Sequence, residues 1–169
     1  MSMIGNFLLI SDDELLKLLA EPSAVHDVIE AADEATSDDM VDVDKAWHCL
    51  HFLLTGTAWE GTAPLDFIAA GGTSIGDEDV GYGPARGFTS QELRAIADAL
   101  EPITESQLIS RFDGAKMDEL EIYPGVGSWQ EVDSTSAESF GYFTGAFEEL
   151  RKLALRGRSQ ARGLLVWLS

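Results

Sequence analysis

The sequence predicts a single α+β (mixed α/β) domain, 1–169, with a small central sheet that includes strands from both ends of the chain and is covered by helices. Three observations lead there. "MSMIGNFLLI" at 1–10 and "RGLLVWLS" at 162–169 are short apolar runs with strand character. Between them lie several segments with apolar residues at helical spacing, each opened by a capping residue. A chain of 169 residues, 45% of them hydrophobic, is long enough to bury a core and short enough for one domain.

Residues 3–10 form the first predicted strand. It stops at "SDDELLKLLA", where Ser11 and Glu14 have capping-box spacing and Asp12 and Asp13 suit the positive end of a helix dipole. Leu15, Leu16, Leu18 and Leu19 give that helix an apolar face, and Pro22 closes it. "SAVHDVIEAADEA" is expected to start a second helix with Ser23 as its cap, and "TSDDMVDVD" to be an acidic connection. "DKAWHCLHFLLTG", residues 44–56, follows as a helix capped by Asp42 or Asp44 and ended by Thr55 and Gly56. "PLDFIAAGG" reads as a short helix with Pro64 near its first position.

The glycine-rich 73–88 stretch, "TSIGDEDVGYGPARGF", is expected to be a long surface excursion holding one short strand. Thr89 with Glu92, and Thr104 with Gln107, mark two further helix starts. The first has an apolar face of Leu93, Ile96, Ala97 and Leu100 and is stopped by Pro102. "KMDELEIYPGVGSW" leaves helix and loop both open. Phe140, Phe143, Phe147, Leu150 and Leu153 lie at helical spacing in the longest helix, and the last strand lacks alternation, as a strand buried on both faces does.

Composition bounds the function. The net charge is −19; residues 1–150 hold all 30 acids and 6 of the 11 bases, whereas 151–169 hold Arg151, Lys152, Arg156, Arg158 and Arg162 and no acid. Such a field disfavours nucleic acid and anionic membranes and favours a basic protein or a cation. The basic C-terminal stretch suits the chain's own acidic surface or that of a second subunit. No apolar run approaches the roughly 20 residues that span a bilayer, and the start lacks the basic n-region of a signal peptide. A single cysteine, Cys49, excludes an internal disulfide framework and fits a reducing cytoplasm. Oligomeric state is open.

The chemistry-bearing cluster is the 44–56 helix. Trp47, Leu50, His51 and Leu54 share one face, with His48, Phe52 and Thr55 on the neighbouring stripe, so the helix is apolar nearly all round and largely buried. A metal site is not expected. His48 and His51 have permissive spacing, but Cys49 points about 100° away from His48, and neither His-Glu-x-x-His nor Cys-x-x-Cys is present. Cys49 and His51 diverge on the helix, against nucleophilic catalysis by that pair. No phosphate-cradling motif and no distinct carboxylate pair stands out, so no cofactor is called for. His51 is either a satisfied core histidine or a pocket residue beside Trp47, Thr55 and Thr57. Arg86, in an otherwise acidic loop, is expected to pair with a carboxylate.

"MSMIGNF", "DVDKAWHCLHFLLTG" and "EIYPGV" together resemble the YfbM-like family of bacterial proteins, a domain of unknown function. The specific part is Asp44, Lys45, Trp47, Leu50, His51, Leu54, Thr55 and Gly56. The resemblance covers most of the chain and implies a compact bacterial cytoplasmic domain of mixed helix and sheet. It supplies no reaction, cofactor or catalytic residue. It does direct attention to a candidate pocket of Trp47, His51, Thr55 and Gly56 with Tyr82 and Arg86. Two functions follow from these residues. One is a non-enzymatic binding module for a protein or small ligand, such as an inhibitor or immunity protein of a basic partner. The alternative is a small hydrolase or ligand-binding enzyme with its pocket at His51 and Arg86. A purely structural or oligomeric role is a third.

Overall fold

The computed structural model of the chain describes residues 2–125 and 127–169. Met1 and Val126, which belong to two of the resembling pieces, lie outside them. The strands are β1 (Gly5–Ile10), β2 (Met40–Asp42), β3 (Thr73–Ser74), β4 (Arg86–Phe88) and β5 (Gly163–Leu168). They form one antiparallel sheet in the order β2-β1-β5-β4-β3. The two terminal strands lie side by side near its middle, in register from Gly5 opposite Leu168 to Ile10 opposite Gly163.

Alternation in these strands divides the core. Phe7, Leu9, Leu164, Val166 and Phe88 belong to a large core built with α3 (Trp47–Thr55), α4 (Ser90–Leu100), α5 (Glu105–Ser110), α6 (Gly114–Glu119) and α7 (Ala137–Ser159). Ile10, Leu165 and Trp167 face a smaller core with Leu15 and Leu18 of α1 (Asp12–Ala20) and Val25 of α2 (Val25–Glu34). Both faces of β5 are therefore covered, which accounts for its unalternating sequence.

The helix-start signals are realised at Ser11, Thr89 and Thr104, each a complete capping box in which side chain and backbone exchange hydrogen bonds. Each such cap contributes about 1 kcal/mol. Other boundaries differ from expectation. Ser23 caps nothing: Pro22–Ala24 form a 3-10 turn that runs straight into α2. Neither Asp42 nor Asp44 caps α3, which is likewise entered through a 3-10 turn, Asp44–Ala46. Asp42 instead accepts from the Asp44 N–H at 2.5 Å, and Asp44 accepts from the Tyr142 hydroxyl at 3.0 Å. The acidic connection contains β2, an edge strand of three residues, and the 73–88 excursion holds two paired strands where one was expected, β3 at its start and β4 at its end.

The short helix expected at 64–72 is absent; the segment is a run of turns. Ala70 N–H reaches Asp66 C=O at 2.8 Å, but the carbonyls of Phe67, Ile68, Ala70 and Gly71 turn to the Arg86 guanidinium instead of to the next helical turn.

The basic C-terminal stretch docks on the chain's own acids. Arg156 meets Asp38 at 3.6 Å, Arg162 meets Asp39 at 2.6 Å, and Arg158 bridges Asp98 and Glu101 at 2.6 and 2.7 Å. Arg151 and Lys152 pair with Glu148 and Glu149 one turn earlier on α7.

Candidate functional site

Every residue of α3 from Trp47 to Leu54 is buried, as its all-round apolarity requires. It ends at Gly56, whose left-handed φ of 76° any side chain would strain. The chain then folds back over the helix, so residues 57–62 run above the two imidazoles.

His48 is fixed at both ring nitrogens. Tyr123 N–H donates to Nδ1 at 2.9 Å, which places the proton on Nε2, where it donates to Ala58 C=O at 2.6 Å. Burial lowers its pKa to about 4. Its ring stacks on Trp47 at 4.5 Å and 2°, with Trp59 and Tyr123 completing the aromatic group. Trp47 Nε1 donates to Met3 C=O at 3.1 Å. Trp47 is thus a core residue directed toward the start of β1.

His51 is also fully buried. Its Nε2 donates to Glu60 C=O at 2.9 Å, but Nδ1 has no partner among the described residues. Burial lowers its pKa, the nearby charge of Asp66 opposes that shift, and Arg86 adds to it. Thr55 donates to His51 C=O at 2.8 Å, and Thr57 Oγ1 donates to Glu60 C=O. Thr55 lines a cleft of about 380 Å³ with Leu54, Glu60 and Leu65; Gly56 lines another of about 370 Å³ with Trp59, Lys116 and Leu120.

Arg86 does not pair with a carboxylate as expected: among the described residues no N–O contact within 4.0 Å joins it to one. Its fork takes the four carbonyls of the 67–71 turn, and its carbon lies 5.8 Å from the centre of the Phe88 ring. Burial lowers its pKa to about 10 against the opposing charge of Asp66, which leaves it cationic at neutral pH. Tyr82 is exposed, and its backbone N–H bonds to Leu168 C=O. His51, Thr55 and Arg86 are therefore gathered near Asp66. Trp47 points elsewhere, and Tyr82 stands outside the clefts just described.

Asp66 itself was not among the candidate residues. It is only 9% exposed, it is sensed electrostatically by His51 and Arg86, and no described residue donates a hydrogen bond to its carboxylate. The signal was present in "PLDFIAAGG": one acid inside an apolar run that ends in two glycines. Cys49 is buried, and burial raises its thiol pKa, so it stays protonated. Among the described residues no three His, Cys, Asp or Glu side chains are grouped to hold a metal ion, and no helix is long and apolar enough to cross a membrane.

Comparison with known proteins adds the following. The family described as "Domain of unknown function (DUF1877)" matches residues 1–167. Protein YfbM of Escherichia coli (strain K12) is 33% identical over 142 residues, 79% of this chain and 80% of that protein. The crystal structure of a protein of unknown function, YfbM from Escherichia coli, is similar with a TM-score of 0.74 at 29% identity, covering 98% of this chain and 99% of that one.

Proposed function

The chain belongs to the YfbM-like DUF1877 family, and from that premise we propose that it works as a binding module whose acidic surface recognises a basic partner protein. The observation that carries this reading is the disposition of its cations. All five bases of 151–169 are paired with the chain's own carboxylates. Arg86 is engaged by backbone carbonyls, and Arg111 donates to Leu53 C=O at 3.3 Å. The net charge of −19 therefore faces solvent with few cations to soften it. The potential catalytic groups of α3 support the same reading, since His48 is closed at both nitrogens and Cys49 is sealed.

Affinity capture from native lysate at low and high salt tests this. Basic proteins retained at low salt and released at high salt are expected; a bound set indifferent to ionic strength overturns the electrostatic reading.

One observation favours the enzymatic alternative: Nδ1 of His51 is a buried base with no partner among the described residues, within the electrostatic reach of Asp66 and Arg86. Turnover of ester, amide or phosphoester substrates that is lost in His51→Gln would establish it.

A further inference from the structure

A cleft of about 110 Å³ opens between the 63–72 turns and α4, walled by Pro64, Gly72, Phe88 and Ala95 and carrying two carboxylates, Asp66 and Glu92. Asp66 is the informative group. Asp66 is 9% exposed, and its carboxylate oxygens, unlike Asp118 Oδ2, keep some contact with solvent, so the charge is confined at the cleft and not sealed in the core. Its carboxylate receives no donor from the described residues, and the nearby Arg86 guanidinium is turned to carbonyls. A Cβ on Gly71, another lining residue, would sit 3.3 Å from Asp66 Oδ1, so that oxygen lies against the wall of the cleft. Gly72, at φ +69°, has no room for a side chain beside the Phe88 ring. Glu92 gives one oxygen to the Thr89 N–H at 2.7 Å as part of its cap, and the other has no described donor.

A ligand matched to this cleft therefore brings donors and positive charge. An anion is excluded by the two carboxylates. A hard divalent cation needs six or more oxygens, and the remaining walls are mostly apolar. A slim aliphatic chain tipped by an ammonium group meets both requirements: methylenes against Phe88, Pro64 and Ala95, and three N–H donors at Asp66 and Glu92. The volume is below the roughly 150 Å³ that admits a benzene ring, which favours such a chain over a bulkier group.

We propose that this cleft receives one aliphatic ammonium group, carried by a lysine side chain of the basic partner; the proposal deepens the binding-module reading and rests on it. A lysine seated here is an anchor, fixing register on a surface whose other charges only steer.

The test is an NMR titration of the full chain with Nα-acetyl-lysine methylamide, n-butylammonium and two uncharged controls, the Nε-acetylated lysine derivative and n-butanol. Saturable shifts at the Gly71, Gly72, Phe88 and Ala95 amides are expected with both ammonium ligands, in roughly the millimolar range, and at least about tenfold weaker with the controls. Asp66→Asn should weaken ammonium binding by about tenfold or more. Ala95→Leu, on the exposed side of α4, should do so by filling the cleft while Asp66 stays intact. Equal binding of the uncharged controls, retention in both variants, or no saturable shift overturns the proposal. A basic partner captured equally well by wild type and Asp66→Asn removes the cleft and leaves the module reading standing. An ammonium-binding cleft in a chain that captures no basic partner overturns the module reading and reassigns the cleft to a free amine.

Discussion

Asp118 and Asp66 are buried to nearly the same degree, 6% and 9% exposed, yet the chain treats them in opposite ways. Asp118, on α6, accepts with Oδ1 the N–H of Gly127 at 2.8 Å and of Trp129 at 3.3 Å, tying those two residues to the helix, while its Oδ2 is buried with no partner among the described residues. Trp129 then seals that loop by donating from Nε1 to Ile122 C=O at 2.7 Å. Asp66 organises nothing with its side chain; only its carbonyl is used, by Ala69 and Ala70. Burial by itself therefore says little about a carboxylate. Where backbone donors converge on one oxygen, the group is architecture; where none do and the group lines a cleft, its oxygens stay open to solvent.

The contrast can be broken most forcefully through Arg86, which holds the turn that carries Asp66. Arg86→Met should strip four carbonyls of their donor and destabilise the fold by about 4 kcal/mol in urea titration. Arg86→Lys should recover little of that, because an ammonium cannot reproduce the planar fork. Asp118→Ala comes next: two charge-assisted bonds are lost and two N–H groups are orphaned, for an expected cost of about 3 kcal/mol.

The third effect depends on pH and concerns the loop held beside them by His48. The folded pKa, about 4, lies below the unfolded value of 6.5, so the stability that neutral His48 contributes is complete above pH 6.5. It declines as pH falls toward 4, by up to roughly 3 kcal/mol. His51, lowered in the same direction, adds to the slope. Urea midpoints measured across this range should fall with pH, and His48→Gln should flatten the curve. Asp66→Asn should have the smallest effect, within about 0.5 kcal/mol of wild type, because no hydrogen bond is lost and the relief of a confined charge is offset by the loss of its favourable field at Arg86. A loss comparable to that of Asp118→Ala would make the two carboxylates equivalent and undo the contrast.

Much of the scaffold was legible from local rules. The boxes at Ser11, Thr89 and Thr104 are short-range exchanges between a residue and its third neighbour, so spacing alone reveals them. Gly56 is as local, and the unalternating run of β5 announces cover on both faces. The parts that escaped are decided at long range. Residues 64–72 have helical composition, but Arg86, more than a dozen residues later, claims their carbonyls. β2 is too short to show a period and exists because β1 offers it an edge. For the site, the sequence pointed to α3 and Arg86 but mistook the partner of Arg86, and it passed over Asp66, whose importance lies in contacts it does not make. His48, set aside as chemistry, proves to be the clamp that joins Ala58 to Tyr123.

The sheet order also constrains how the chain is born. β1 has only the three-residue β2 beside it until β5 arrives, and the register of Gly5 with Leu168 spans nearly the whole sequence. At ordinary rates of translation the ribosome needs roughly ten to thirty seconds to make that span. Throughout that interval one edge of β1 is unpaired and the apolar face of α3 lacks its cover from the final helix. Closure of the sheet therefore waits for β5, and until then the chain exposes apolar surface of the kind that chaperones bind.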